Sequence, residues 1–168
     1  MVKIEDLKRI SLFKNVPVHL LEIIARESQL KIFGTDTQLA TINERLDTFY
    51  MLIMGQVAVI KELTPEIDVI IDYVQSGSCF GISSILEGSK SFYTAICQEP
   101  CEVITLSSQR MIQLFEENHE LAYYMMLDVS KQYKRYMDIR AQMILKTLDK
   151  NREYKEKMSV MLKSSSID

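Results

Sequence analysis

The sequence predicts an α+β fold, in which an antiparallel β-structure, a sandwich or a roll, lies between N-terminal helices and one long C-terminal helix. Three successive patterns of apolar spacing support this. Apolar residues recur every three or four residues before residue 29, then occur in short strand-like runs, and after Asn118 recur at a period close to seven. The chain of 168 residues is long enough for one domain with a substantial core and an appendage.

Residues 1–28 are predicted to form the N-terminal helices. Two apolar groups at helical spacing define them: Ile4, Leu7 and Ile10, and then Leu20, Leu21 and Ile24. Pro17 stands where a second helix would begin, a position that proline tolerates. His19 in this second helix is expected to have a surface or capping role rather than to bind a metal or haem.

Residues 29–117 are predicted to form the β-structure and a following helix. Runs rich in Val, Ile, Phe, Tyr and Thr indicate strands at 30–33, 38–42, 48–54, 56–61, 68–74, 91–98 and 102–106. Gly, Pro, Asn and Asp separate them. Strands that recur about every 8 to 12 residues without long helices between them imply an antiparallel sandwich or roll. Ser107 and Ser108 are expected to cap the helix that follows.

Residues 118–162 are predicted to form a long helix that begins at Asn118. A near-heptad pattern predicts a two-stranded parallel seam, and thus a homodimer, through Ala122, Met125, Val129, Gln132, Tyr136, Ile139 and Met143. Gln132 would make this seam less stable but more specific. The alternative is that this apolar stripe packs only on the β-structure of its own chain. Residues 163–168 are expected to be a disordered tail.

Composition argues against several classes of protein. A net charge of −3 gives no clustered positive charge for nucleic acid, and the Lys and Arg residues after Met143 are interrupted by Glu. No apolar run has the length of a signal sequence or a membrane span, so a cytoplasmic protein without a membrane partner is expected. Ser-His-Asp, H-E-x-x-H, Walker and Rossmann patterns are absent, so we expect no enzyme and no catalytic residues.

The three cysteines, Cys79, Cys97 and Cys101, are odd in number and form no C-x-x-C motif. A disulfide or a metal site is therefore not expected. Buried thiols that act as small apolar groups are the simplest interpretation. Because Cys79 and Cys97 flank the segment described next, a thiol that senses oxidants or electrophiles is the alternative.

The segment Phe80–Ala95, FGISSILEGSKSFYTA, is called the cassette below. An apolar strand ends at Phe80 and Gly81, a short helical run from Ile82 to Leu86 follows, and a new strand leaves through Thr94. A glycine before a helical turn directs unpaired amide N–H groups and partial positive charge at one point, which suits an anion. The same order also occurs in ordinary turns between a strand and a helix.

The cassette resembles the phosphate-binding cassette of the cyclic-nucleotide-binding domain family, with its pattern F-G-E-L-x-L-L-x-G-x-P-R-[ST]-A. Further landmarks occur in the family's order: L-F-K-N-V from Leu12, M-G-Q-V from Met54, and Gly77 before the Phe-Gly pair. The resemblance covers roughly residues 7 to 143. It implies a jelly-roll-like β-roll, a C-terminal helix that forms the dimer axis, and a sensor domain of the type found in the catabolite activator protein.

Two positions of the cassette depart from the family pattern. The family's Glu, which accepts hydrogen bonds from the ribose 2′-hydroxyl, is matched by Ile82, and the closing Arg, which pairs with the cyclic phosphate, is matched by Ser91. Sliding Lys90 into the arginine position would turn every following side chain to the other face, and lysine is a point charge rather than a bidentate fork. Losing one member of such a charge pair costs about 2–5 kcal/mol, or roughly thirtyfold to several-thousandfold in affinity. Weak or absent binding of cyclic AMP and cyclic GMP is therefore expected.

The resemblance implies a regulatory module, connected with transcription regulation and signal transduction, that binds a small-molecule effector. The predicted ligand contacts are Gly81, Ile82, Ser83, Ser84, Lys90, Ser91, Phe92, Thr94, Tyr136 and Met137. The last two match the family's base-contacting positions, and Tyr136 at a helix seam also suits plain packing. The residues after Met143 leave too little chain for a winged helix-turn-helix, so we expect no direct nucleic acid binding by this chain, and either a downstream protein partner or a longer protein of which this is the sensor part.

Three functional classes remain open. The effector is a cyclic nucleotide or another small anionic or aromatic molecule, with an aromatic or organic acid suited to the apolar Ile82 and Phe92. A haem or thiol-redox sensor would depend on residues such as Cys79. A pure interaction and dimerisation module would have an inactive pocket. No cofactor is certain.

Overall fold

The computed structural model describes residues 2–64, 67–85 and 90–150. Its helices are α1 (Ile4–Arg9), α2 (Val18–Glu27), α3 (Ser108–Glu117) and α4 (His119–Lys150). Its strands are β1 (Gln29–Phe33), β2 (Gln38–Ala40), β3 (Thr48–Met54), β4 (Gln56–Thr64), β5 (Ile67–Gln75), β6 (Cys79–Phe80), β7 (Thr94–Cys97) and β8 (Cys101–Ser107). Short 3₁₀ turns occupy Ser11–Phe13 and Ile82–Ile85.

The strands form two four-stranded antiparallel sheets. One has the order β1-β8-β3-β6 and the other β2-β7-β4-β5. With helices before and after them, this arrangement confirms the predicted α+β fold and its antiparallel β-roll. It also joins strands that are distant in sequence, since β7 pairs with both β2 and β4.

Side chains from both sheets form a shared apolar core. Tyr50 and Val103 come from the first sheet, and Val57 and Ala95 from the second. Within this core the ring of Tyr50 stacks on that of Phe80, with centroids 4.7 Å apart and planes 8° from parallel. Because Phe80 directly precedes the cassette glycine, this stacking fixes one end of the cassette in the core.

The N-terminal helices pack through the residues that the sequence pattern identified. The side chains of Leu7, Ile10, Leu20, Leu21 and Ile24 are fully buried. Pro17 directly precedes α2 as its N-cap residue, and the Ser11 amide donates to the Gly77 carbonyl at 2.7 Å. The last contact attaches the N-terminal segment to the turn that leads into the cassette.

Both predicted helix caps form. The Ser107 hydroxyl accepts a hydrogen bond from the Arg110 amide at 3.2 Å at the start of α3. The Asn118 side-chain oxygen accepts from the Leu121 amide at 3.0 Å at the start of α4. These bonds satisfy amides of the first helical turn, which have no partner within the helix. None of the described helices is long and apolar enough to cross a membrane.

The chain divides into two compact units, Met1–Asp128 and Val129–Asp168. In the first unit Met125 is buried and Ala122 half-buried. In the second, Val129 is buried and Gln132 half-buried. The last three residues of the predicted seam are more exposed: Tyr136 to 51%, Ile139 to 43% and Met143 to 62%. The dimer seam stays a prediction, and so do the domain boundaries at residues 28 and 117. The predicted helix end at residue 162 and the tail lie outside the described residues.

Two predicted strands are shorter in the structure. The one predicted at 91–98 begins only at Thr94, because the hydroxyl of Ser91 donates to the Tyr93 carbonyl and holds a bend there. The one predicted at 38–42 ends at Ala40, ahead of Asn43, whose φ of 65° is left-handed and leaves strand geometry. The helical run predicted from Ile82 is a four-residue 3₁₀ turn as far as Ile85, and Leu86 lies outside the described residues.

Candidate functional site

Gly81 sets the backbone path into the cassette. Its φ is +81°, and a Cβ at this position would lie 2.7 Å from the carbonyl oxygen of Thr48. Only glycine adopts this conformation without strain and leaves room for the carbonyl. The chain therefore turns sharply out of β6 while staying against β3.

The 3₁₀ turn after Gly81 uses some of its amides internally. The Ser84 amide donates to the Gly81 carbonyl at 2.9 Å, so it is not available to a ligand in this arrangement. The amides of Ile82 and Ser83 precede that first internal bond. The Ser84 hydroxyl oxygen is buried and has no hydrogen-bond partner among the described residues, although buried hydroxyls usually have one. This hydroxyl could therefore still form a hydrogen bond within the cassette.

Tyr93 connects the far end of the cassette to its beginning. Its hydroxyl oxygen accepts a hydrogen bond from the Gly81 amide at 3.2 Å. Its side chain is half-buried and packs against the core of the two sheets. The amide of Gly81, which is one of the predicted ligand contacts, therefore already has a partner within the protein.

Ser91, which matches the family's closing arginine, is buried and engaged. Its side chain is 2% exposed, and its hydroxyl donates to the Tyr93 carbonyl at 2.7 Å. Its amide donates to the Glu44 carbonyl, and its carbonyl accepts from the Asn43 amide. The position thus carries no charge, and its hydroxyl already has a backbone partner.

Lys90 and Thr94 flank the same bend. Lys90 forms an isolated β-bridge with Arg45 and is exposed. The Thr94 hydroxyl accepts a hydrogen bond from the Ile42 amide at 3.2 Å, and its side chain is half-buried. The structure therefore brings Gly81, Ser91 and Thr94 into one region of the β-roll, each with a partner of its own.

Phe92 has a neighbour that sequence reasoning missed. Its ring is 66% exposed, and the ammonium nitrogen of Lys61 lies 3.0 Å from the ring centroid. Lys61 belongs to β4, which pairs with β7 so that Ile60 lies opposite Thr94. This pairing joins segments about thirty residues apart and brings Lys61 next to Phe92. The sequence alone shows Lys61 only as a charged residue in a predicted strand, with no sign of this contact.

Tyr136 and Met137, the two predicted base contacts, lie in α4 within the second unit. Tyr136 is 51% exposed and Met137 68% exposed. Their part in ligand binding stays a prediction, as does that of the cassette residues.

The cysteines are in surroundings that disfavour reactivity. Cys97 and Cys101 are fully buried and Cys79 is half-buried. Burial raises the pKa of the Cys79 thiol to about 12, and burial together with the neighbouring Cys101 raises the pKa of Cys97 to about 12. A thiol with so high a pKa forms little thiolate, which is the reactive species. In the part of the chain that the structure describes, no group of three or more His, Cys, Asp or Glu residues could hold a metal ion.

A separate surface cavity of about 340 Å³ lies between α2 and α3. At its edge the Arg110 guanidinium donates to both carboxylate oxygens of Glu27, at 3.0 and 3.1 Å, and to Glu117 at 2.9 Å. These hydrogen bonds hold the pKa of the Glu27 carboxyl below its ordinary value. His19 is paired through Nε2 with Glu120 at 3.3 Å on the surface. Both contacts tie α2 to the helices that follow the β-roll.

Comparison with known proteins identifies the fold and the family. The sequence profile of the cyclic nucleotide-binding domain matches residues 30–118. The global nitrogen regulator of Nostoc sp. is 27% identical over 101 residues, which are 59% of this chain and 43% of that protein. This chain therefore spans less than half the length of that relative.

Solved structures show the same fold at low sequence identity. A cyclic nucleotide-binding protein from Geobacter metallireducens superposes with a TM-score of 0.68 at 24% identity, over 78% of this chain and 95% of that one. A cyclic nucleotide-binding domain from Methylobacillus flagellatus gives a TM-score of 0.73 at 20% identity, over 84% and 80%. The regulatory domain of Toxoplasma gondii PKA, crystallised with cAMP, gives 0.66 at 18% identity, over 79% and 49%. Since the profile match covers more than half of its residues, the chain belongs to the cyclic nucleotide-binding domain family.

Proposed function

We propose that this chain is a regulatory sensor module that binds a small ligand at the cassette and signals through a dimeric C-terminal helix. We further propose that its binding of ordinary cyclic nucleotides is weak or altered. It would act in the cytoplasm through a downstream protein partner or through further parts of a longer protein. No catalytic role is proposed.

The environment of Ser91 carries this proposal. In a chain that keeps the cassette glycine at a φ of +81°, the position expected to hold the phosphate-pairing arginine is an uncharged, buried serine whose hydroxyl donates to the Tyr93 carbonyl. The apolar side chain of Ile82 likewise cannot accept a hydrogen bond from a ribose hydroxyl. The backbone scaffold of the site is retained while its two charged contacts are replaced, which supports a changed ligand.

The exposed residues of α4 support the signalling part. Tyr136, Ile139 and Met143 recur at heptad spacing, and each is between 43% and 62% exposed. A second copy of the same helix would cover such a stripe in a parallel seam. Ligand binding would then shift the equilibrium between two arrangements of the module. The size of the shift is set by the difference between the ligand's affinities for the two arrangements.

Calorimetric titration with cyclic AMP and cyclic GMP tests the ligand proposal. The unmodified protein is compared with the Ile82→Glu, Ser91→Arg double variant and with Ile82→Glu alone, since an arginine at the buried position 91 is the change most at risk of unfolding the chain. Circular dichroism verifies that each variant is folded. Binding by a charged variant and not by the unmodified protein supports an intact scaffold with a changed ligand. Micromolar binding by the unmodified protein would contradict the altered cassette.

Sedimentation equilibrium tests the dimer. Ile139→Glu places a charge in the predicted seam, whereas Ala141→Glu places the same charge on the opposite face of the heptad pattern. We expect the first variant to be monomeric at concentrations where the unmodified protein and the second variant are dimeric. A monomeric unmodified protein would contradict this part of the proposal.

One observation favours a second function, an interaction module with an inactive pocket. The Tyr93 hydroxyl already occupies the Gly81 amide, so the chain partly fills its own cassette. This alternative predicts that no small ligand changes the thermal stability of the protein. The sensor function predicts a rise in melting temperature with its ligand, because a ligand that binds only the folded state stabilises it by mass action.

A further inference from the structure

Lys61 is a half-buried cation beside the cassette. It lies on β4 two residues after Val59, which is buried and lies opposite Ala95 of β7. Because side chains alternate along a strand, Lys61 is on the same face of its sheet as Val59 and Ala95. Its ammonium nitrogen stands 3.0 Å from the centre of the Phe92 ring.

The surroundings of this ammonium differ from those of the paired cations in the structure. Lys134 donates to Asp138 at 2.7 Å, and Arg110 contacts two glutamates. Within residues 2–64, 67–85 and 90–150, no carboxylate lies within ion-pair distance of Lys61. The face of an aromatic ring attracts a cation electrostatically. Unlike an anion, the ring offers no oxygen atoms that accept the N–H groups of the ammonium. An ammonium has three N–H donors, so it retains hydrogen-bonding capacity.

The pairing of the strands places this cation at the exit of the cassette. Phe92 directly precedes Tyr93, whose hydroxyl contacts the Gly81 amide. Ile60, the residue before Lys61, lies opposite Thr94. The cation therefore stands beside the bend of Ser91 to Tyr93, where Ser91 itself supplies no charge.

We propose that Lys61 is the cationic ligand-binding residue of the cassette, and that the ligand carries an anionic head group, a phosphate or a carboxylate. This inference rests on the proposed function and adds to it the charge class of the ligand and the residue that selects it. Phe92 is the positioning residue, because its ring holds the ammonium beside the cassette. Lys90, the cation closer in sequence, is exposed and forms an isolated β-bridge with Arg45.

Isothermal titration at constant ionic strength tests the assignment with four probes: inorganic phosphate, adenosine 5′-monophosphate, cyclic AMP and benzoate. The variants are Lys61→Met, Lys61→Arg and, as a matched surface control on β1, Lys31→Met. We expect at least one probe to bind the unmodified protein. Lys61→Met should lower the affinity for that probe about tenfold or more, because a hydrogen bond to a charged group typically contributes that much to binding. Lys61→Arg should retain most of the affinity, and Lys31→Met all of it.

The probes distinguish the head groups, and each result decides the proposal. Binding of phosphate and its esters identifies a phosphate ligand, and binding of benzoate alone identifies a carboxylate. The proposal is overturned when none of the four probes binds the unmodified protein, or when Lys61→Met binds as tightly as it does. The sensor function survives that failure if the Ile82→Glu, Ser91→Arg variant binds cyclic AMP, since the scaffold is then intact and only the assignment of Lys61 is lost.

Discussion

The hydroxyl of Tyr93 accepts a hydrogen bond from the amide of Gly81 at 3.2 Å, which joins the two ends of the cassette across twelve positions of the chain. Gly81 leaves the core next to Phe80, and Tyr93 packs on the same core. The cassette is thereby closed at its base by one side-chain hydrogen bond in addition to the strand pairing around it.

Tyr93→Phe removes the hydroxyl and leaves the ring in place. The Gly81 amide then lacks its partner, and we expect the free energy of unfolding to fall by about 0.5–1.5 kcal/mol. Urea denaturation measures this. Tyr73→Phe is the matched control, because Tyr73 is an exposed residue of the edge strand β5. Equal stability of the two variants would show that the hydrogen bond contributes nothing.

Gly81→Ala tests the backbone requirement of the cassette. A Cβ at φ +81° and 2.7 Å from the Thr48 carbonyl is both strained and too close. We expect a loss of about 1–3 kcal/mol in unfolding free energy. The control is Gly34→Ala, where the nearest atom to a Cβ is the Thr37 hydroxyl at 4.0 Å. If both variants had the same stability, the close approach of Gly81 to β3 would be refuted.

Much of the fold could be predicted from the sequence because each segment carries its own periodicity. The helical spacing from Ile4 to Ile24, the β-rich runs and the caps at Ser107 and Asn118 are local signals, and the structure has each of them. The boundaries of β7 could not be predicted in this way. The bend at Ser91 depends on the hydrogen bond from its hydroxyl to the Tyr93 carbonyl. Strand propensities do not predict such a contact.

The candidate site was less predictable than the fold, because its contacts join distant segments. Motif spacing identified Gly81 and Ser91. It could not identify Lys61, whose contact with Phe92 follows from the register of β4 on β7. It also could not show that Tyr93 occupies the Gly81 amide, since a hydroxyl partner twelve positions away depends on the path of the chain between them.

The thiols are expected to be unreactive in the folded protein. Because the pKa of Cys79 and of Cys97 is raised to about 12, both thiols form far less thiolate at about pH 8 than an ordinary thiol with a pKa of about 8.5. Mass spectrometry after a short treatment with iodoacetamide should find these thiols unmodified in native protein and fully modified in urea. Rapid modification of native Cys79 would instead favour a thiol sensor.

Arg110 should stabilise the protein in a pH-dependent way, through its contacts with Glu27 and Glu117. Its hydrogen bonds hold the pKa of Glu27 below the ordinary value of 4.5. A carboxyl with a lowered folded-state pKa stabilises the fold above its unfolded pKa, and this stabilisation is lost as the pH falls through the folded-state value. The stability difference between the unmodified protein and Arg110→Met should therefore be largest near neutral pH and shrink below about pH 4.5.

Urea denaturation at a series of pH values between about 7 and 3 measures this difference. Arg45→Met is the matched control, because the pair of Arg45 and Asp47 is largely exposed, at 77% and 71% of the two side chains, and exposed ion pairs contribute little. We expect that control to have nearly the stability of the unmodified protein at every pH. A difference for Arg110→Met that stayed constant down to about pH 3 would mean that the arginine acts through packing of its side chain on α2 and α3 rather than through the charge of Glu27.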